Sequence, residues 1–279
     1  MSGGGEDVTD APEPSAGDSI EPTENDDSAE SDDSAEPTAF ETTRRDGVVR
    51  LRRAGVEWLS SGADGGRWET DAAYNLSIPD GWPRTDLETY VDDRLERAGF
   101  DERGPALLTG VDIADARGAR CGPVTAIVTA GLSNPAVLPM NPQGGALPDG
   151  DLESATDPGD PVGTVNVLVG TTRSLSAGAL ANLLTVAAEA KTATLLEMTG
   201  FPGTTSDAII VGHDPAGERS EFSGTATVVG AATRACVRDA LLEALRAHYD
   251  GSEISAPPSL EAAKYGLSTD VAADVFDLD

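Results

Sequence analysis

Apolar residues recur along this chain at two spacings, and each spacing predicts a kind of element. Alternating or continuous apolar runs predict strands at Val48–Arg52, Val56–Leu59, Ala72–Ile78, Ala106–Val111 and Pro123–Ala130. The first two meet near Gly55, as a hairpin would. Thr164–Val169 is apolar at all but Thr164 and Asn166, the composition of a central strand buried on both faces. Ala208–Val211 and Thr225–Val229 complete the set. A three-to-four residue period takes over elsewhere. Thr85 or Asp86 caps a helix to Ala98 with Leu87, Val91 and Leu95 on one face, and a long helix begins at Ser176 with Leu180, Leu183, Leu184, Ala187 and Ala190 inward. A further helix covers Ala231 to His248. Ser60–Gly66 and Ala114–Arg120 read as a polar loop and a turn, and 141–161 as an exposed acidic insertion.

Three regions follow: an acidic tail at 1–42 expected to be disordered, a folded domain at 43–249, and a C-terminal extension at 250–279, loosely held apart from some helix near Leu260–Tyr265. The tight returns between strands favour an α+β fold with largely antiparallel sheets flanked by helices.

Charge narrows the partners. The formal net charge is -30, and the first 42 residues hold 14 of the 49 acidic residues and no Lys or Arg. The remainder still has 35 acidic against 19 basic side chains, of which only Lys191 and Lys264 are lysines. A surface so acidic and poor in lysine fits a high-salt cytoplasm, where screening removes most self-repulsion. It argues against nucleic acid as a partner, since phosphate backbones need basic patches. Cys121 and Cys236 are too few for a disulfide framework, no apolar run is long enough to cross a membrane, and the N-terminus has no signal-like segment. The expectation is a cytoplasmic protein, with a homo-oligomer left open.

One stretch concentrates polar chemistry. In Gly200–Gly212, Pro202 fixes one backbone dihedral and Gly203 frees another, so Thr204, Thr205, Ser206 and Asp207 stand at the mouth of a strand. Taken alone it is also an ordinary turn whose hydroxyls bond nearby backbone. Asn166 either braces a neighbouring loop or faces a site. Asn182, Thr185 and Glu189 share a helix face that could be a solvated stripe. Asp112 reads as an ion-pair partner of Arg117 or Arg120. Metal-binding spacings, phosphate loops and a Gly-x-Ser-x-Gly elbow are absent from the sequence, so neither metal nor nucleotide is expected.

Six ordered motifs carry a resemblance: Trp58–Gly62, Ala73–Pro79, Leu108–Asp112, Thr129–Pro135, Gly163–Asn166 and Gly200–Asp207. Together they resemble the CbiZ family of adenosylcobinamide amidohydrolases from about Gly47 to Tyr249. The resemblance implies cobinamide salvage for cobalamin synthesis, in which the amide joining a corrin propionate to aminopropanol is hydrolysed to give adenosylcobyric acid. It implies no cofactor, because the cobalt belongs to the corrinoid substrate. For that reaction Asp207 or Glu189 is the expected base, while Thr204, Thr205 and Ser206 serve the tetrahedral intermediate. Asn166, Asn134 and Asn75 are expected to position corrin amides, with Asp112 nearby. Ser133 is a second nucleophile candidate, although Leu132–Pro135 is equally a simple turn. The order of the strand at Gly163, a helix and the Gly-Thr-Thr-Ser-Asp turn is also similar to the DmpA-type aminopeptidases, which implies an αββα sandwich. A corrinoid-binding module without turnover, or an acidic structural protein, are the alternative readings.

Overall fold

The structure, a computed structural model, describes residues 39–63, 65–79, 86–147, 163–250 and 255–278. In chain order the elements are β1 (Glu41–Arg45), β2 (Val48–Arg52), β3 (Glu57–Ser60), β4 (Gly66–Glu69), β5 (Ala72–Ser77), α1 (Leu87–Arg97), β6 (Ala106–Thr109) and a 3-10 turn (Ile113–Asp115). There follow β7 (Arg117–Cys121), β8 (Val124–Ala130), β9 (Pro135–Val137), β10 (Val165–Thr171), β11 (Ser174–Leu175), α2 (Ala177–Thr199) and β12 (Gly203–Thr204). β13 (Ala208–His213), β14 (Arg219–Ser220), α3 (Val228–Tyr249) and β15 (Leu267–Ser268) complete the chain. No helix among the described residues is long and apolar enough to cross a membrane.

These elements stack in four layers, as the αββα expectation had it. A six-stranded sheet runs β4-β3-β13-β10-β8-β7 and a four-stranded sheet runs β1-β2-β5-β6. The strand at the centre explains the arrangement. All seven residues of β10 are buried. Its Val165, Val167 and Val169 join Leu180, Leu183 and Leu195 of α2 and Val237 and Leu241 of α3 in one core. Its Leu168 points the other way, into a second core where Trp58, Ile127 and Ile210 meet Leu51, Ala73 and Leu107 of the smaller sheet. A third core packs Val91 and Leu95 of α1 on Tyr74 and Leu76, across the outer face of that sheet. Most strand pairs are antiparallel, but β10 and β13 are parallel and linked through α2, as a crossover requires.

Local signals ended the helices where the sequence indicated. Ser176 caps α2 by accepting the Ala179 N–H, Asp86 caps α1 from the Thr89 N–H, and Gly200 closes α2 with φ 76°. Thr85 lies outside the described residues, as do 1–38 of the tail and 148–161 of the insertion.

Long-range pairing overturned several local expectations. β2 and β3 are not a hairpin: one pairs with β5 and the other with β13, so the chain changes sheets between them. Part of the expected polar loop and turn instead forms edge strands, β4 on β3 and β7 on β8. The Thr225–Val229 strand does not form, because Thr227 accepts the Gly230 N–H and starts α3 there. The expected helix near Leu260–Tyr265 is a series of turns, and β15 beyond it pairs in parallel with β9. At the other end, strand structure begins at Glu41, and Phe40 is fully buried with its ring edge-on to Trp58, so Phe40 of the expected tail belongs to the core while Glu41 and Thr42 are exposed in β1.

Candidate active site

Three strand pairings bring the polar motifs together. β10 lies against β8 with Asn166 opposite Thr129, and against β13 with Asn166 opposite Ala208, which leaves Asp207 beside Val165. The short β12 pairs with β9, Thr204 opposite Pro135. That pairing places the Leu132–Pro135 turn next to the Gly200–Asp207 turn, some 70 residues apart in sequence.

Asp207 ties the second turn to the body of the protein. One carboxylate oxygen accepts the Val165 N–H at 2.9 Å and the Thr204 hydroxyl; the other accepts the Thr204 N–H at 3.1 Å and the ammonium of Lys191. Four donors fill the lone-pair sites of a carboxylate. The Asp207 and Lys191 side chains are 12% and 9% exposed, so the ion pair is enclosed. Gly203 is required at this point, since a Cβ there would sit 2.5 Å from the Asp207 carboxylate and 3.0 Å from the Lys191 nitrogen.

Hydroxyls gather on the neighbouring side. The Ser206 and Thr164 hydroxyl oxygens are 2.9 Å apart, and Ser206 also donates to the Gly163 carbonyl at 3.2 Å. The Asn134 side-chain amide donates to the Thr205 and Ser206 hydroxyls at 2.7 and 3.3 Å, and the Asn134 backbone carbonyl accepts the Thr205 N–H. Ser133 accepts the Gly163 N–H at 2.6 Å, so both turns hold the start of β10. From behind, Tyr249 accepts the Leu132 N–H at 2.8 Å, and burial pushes its phenol upward in pKa. The Tyr265 N–H reaches the Ser133 carbonyl, so the C-terminal segment also borders this turn.

Asn75 and Asn166 form a second polar group between the sheets. The Asn166 amide donates to the Asn75 side-chain oxygen at 3.0 Å and to the Leu108 carbonyl at 2.9 Å, and Asn75 donates to Thr129 at 2.9 Å. Asn166 therefore braces, and its own side-chain oxygen is buried without a partner among the described residues, as is that of Asn134. A cleft of about 160 Å³ opens beside this group, lined in part by Leu87, Val91, Leu108 and Ala208. Of the cluster's polar side chains, Ser206 is the one that lines it.

Two of the residues expected at the site lie elsewhere. Glu189 is on the outer surface of α2, 56% exposed and paired with Arg234 of α3. Its face-mate Asn182 donates to Ser223, so that face of the helix lies against α3 and solvent. Asp112 is exposed and accepts the Ala114 N–H as the cap of the 3-10 turn; Arg117 and Arg120 donate to backbone carbonyls instead. Sequence reasoning also missed two members, Thr164 and Lys191. Lys191 had a signal: it is one of two lysines in the chain, and it falls four residues after Ala187 on the face that the helix buries.

The adenosylcobinamide amidohydrolase family model, CbiZ, matches residues 31–253. The chain belongs to this family. All of the cluster just described falls inside the matched span of the CbiZ domain. A protein of Halobacterium salinarum named adenosylcobinamide amidohydrolase is 54% identical over 239 residues, covering 85% of this chain and 99% of that one. One of the same name from Methanosarcina mazei is 26% identical over 170 residues, 61% of this chain and 75% of that one. Among solved structures, the PH0078 protein of Pyrococcus horikoshii aligns with TM-score 0.39 at 13% identity, over 73% of this chain and 78% of that one. The L-aminopeptidase D-Ala-esterase/amidase of Ochrobactrum anthropi aligns with TM-score 0.34 at 12% identity, over 77% of this chain and 85% of that one.

Proposed function

We propose that this CbiZ member hydrolyses adenosylcobinamide at the amide between a corrin propionate and aminopropanol, and that the Ser206 hydroxyl meets the scissile carbonyl. The observation that carries the assignment is the position of Ser206, which opens on the cleft while bonded to Thr164 and Asn134. A cleft of about 160 Å³ suits the amide-bearing arm and leaves the corrin outside.

An amide is a reluctant electrophile, so attack, oxyanion and leaving group each need a partner. Ser206 Oγ adds to the carbonyl carbon as its proton turns from the Gly163 carbonyl to the Thr164 hydroxyl oxygen, and Thr164 passes its own proton to the departing nitrogen. The C–N bond breaks, aminopropanol leaves as the amine, and water hydrolyses the Ser206 ester to release adenosylcobyric acid and restore the hydroxyl. The Asn134 N–H that meets the Ser206 hydroxyl is the donor assigned to the oxyanion, freed as Ser206 forms its new bond. Asp207, whose oxygens are already engaged, is a positioning residue that holds Thr204 and the turn through Lys191. Thr205 and Ser133 orient Asn134 and the start of β10, and Asn75 with Asn166 forms the polar wall behind the cleft. The acidic composition supports work in a high-salt cytoplasm, where screening quiets self-repulsion.

The test is release of aminopropanol from adenosylcobinamide by the purified protein in concentrated KCl, read by mass spectrometry. Ser206→Ala is expected to lower kcat by at least about a hundredfold, the scale of losing one group that acts on the transition state. Full turnover in Ser206→Ala would move the reacting group elsewhere. Corrinoid binding without release by the unaltered protein would make it a binding module.

A further inference from the structure

The largest cavity described lies at the other end of β10, and nothing in the hydrolytic scheme uses it. Its volume is about 760 Å³, inside the roughly 300–1,000 Å³ of small-molecule sites. Arg53, Arg120 and Arg173 line it, with Asp214, Glu218 and Thr172. Six residue steps along β10 place it about 20 Å from the Thr164 end of the strand.

Charge at this place runs against the rest of the chain. Arg53 is paired with Asp214 at 2.6 Å, and these side chains are 18% and 9% exposed. The second Asp214 oxygen accepts the Ala216 N–H, so both oxygens of that carboxylate are engaged. Arg173 pairs with Glu218, whose side chain is 78% exposed, a contact that solvent weakens. Arg120 gives one N–H to the Phe40 carbonyl at 2.7 Å and has no carboxylate within ion-pair distance among the described residues. Among the described lining residues, three guanidinium groups stand against two carboxylates, in a protein whose formal charge is -30. A second and independent feature points to an occupant. Thr172 is 5% exposed, and its buried hydroxyl has no hydrogen-bond partner among the described residues. A buried hydroxyl is ordinarily satisfied, and leaving it bare is costly. Val228, the first residue of α3, also lines the cavity, and that helix has no acidic residue in its first turn to oppose an anion.

We propose that this cavity is a ligand site, separate from the hydrolytic cluster, for a small molecule bearing one singly charged oxyanion. The charge of that group balances the surplus guanidinium. Arg120 takes it through its planar fork, Thr172 supplies the hydroxyl hydrogen bond, and the remaining volume holds the organic body of the ligand.

The test measures melting temperature in constant concentrated KCl against graded additions of three probes: propionate, dimethyl phosphate and inorganic phosphate. The first two carry one charge on carboxylate and phosphodiester oxygens, and the third is mostly doubly charged at about pH 8, where the melts are run. A saturable upward shift is expected with propionate or dimethyl phosphate, and which of them acts identifies the source of the oxyanion. Arg120→Gln, which retains a donor for the Phe40 carbonyl, and Thr172→Val, which deletes only the unpartnered hydroxyl, are both expected to abolish the shift. Aminopropanol release by both variants without a probe is expected within about twofold of the unaltered protein, because neither residue belongs to the cluster. No shift from either single-charge probe overturns the proposal, as does a shift confined to inorganic phosphate or one that survives in both variants.

Discussion

Replacing Lys191 with Met removes the ammonium from the Lys191–Asp207 pair while keeping an unbranched side chain of similar length. Asp207 then stays enclosed, with its side chain 12% exposed and the Val165 N–H, the Thr204 N–H and the Thr204 hydroxyl as its remaining donors. Removing one partner of a buried ion pair costs about 3–5 kcal/mol, and the three surviving donors set the expectation near the lower bound, about 3 kcal/mol. For a folded body of this size each kcal/mol lowers the melting temperature by about 2–4 °C, so the expected fall is about 6–12 °C. Trp58, which is fully buried, reports unfolding by fluorescence. Adding Asp207→Asn to Lys191→Met removes the stranded charge, so the double variant is expected to melt above the Lys191→Met single variant, with a coupling of at least about 1 kcal/mol. Raising KCl further is expected to leave the Lys191→Met deficit largely unchanged, because salt screens exposed pairs far more than enclosed ones. A fall under about 2 °C, or a double variant no more stable than Lys191→Met, would refute the claim that this pair anchors the turn.

Four more expectations follow from the same geometry. Glu189→Gln, distant from the cluster, should leave kcat and KM for adenosylcobinamide unchanged, and a large loss of kcat would return Glu189 to the mechanism. Phe40→Ala should cost about 3–5 kcal/mol in a denaturant titration, because the ring is fully buried against Trp58. Tyr249→Phe leaves the Leu132 N–H without its acceptor, which should cost about 1–3 kcal/mol and lower kcat through the Ser133–Asn134 turn; an unchanged melting temperature would show that the bond is unimportant. His213 is 4% exposed and accepts the Leu175 N–H at 3.1 Å, and burial holds its imidazole below its ordinary pKa. The unfolded chain therefore binds the proton first: this contribution is complete above about pH 6.5 and is lost as pH falls through the folded value. His213→Gln, which keeps an acceptor, should flatten stability against pH in that interval, and an unaltered slope would count against the assignment.

What the sequence determined by itself was local. The caps at Asp86 and Ser176, the stop at Gly200 and the apolar run of β10 depend on neighbours within a few residues, so the reading and the structure agree there. The motif order was equally legible and led to the family. Tertiary structure decided which of those motifs meet. Asn134 reaches Thr205 and Ser206 only because β9 pairs with β12, and Asp207 reaches Val165 only through the parallel register of β13 on β10. Periodicity reveals that a helix has faces, but the partner of each face is set by the layers around it. Thus Lys191 was carried inward to a carboxylate, while Glu189, two positions earlier on the same helix, was left beside Arg234 at the surface. The same reasoning separates β2 from β3. Nearness in sequence favours a hairpin, yet burying Leu51 and Trp58 in one core is achieved by placing them on two facing sheets, a choice that no short window of residues contains.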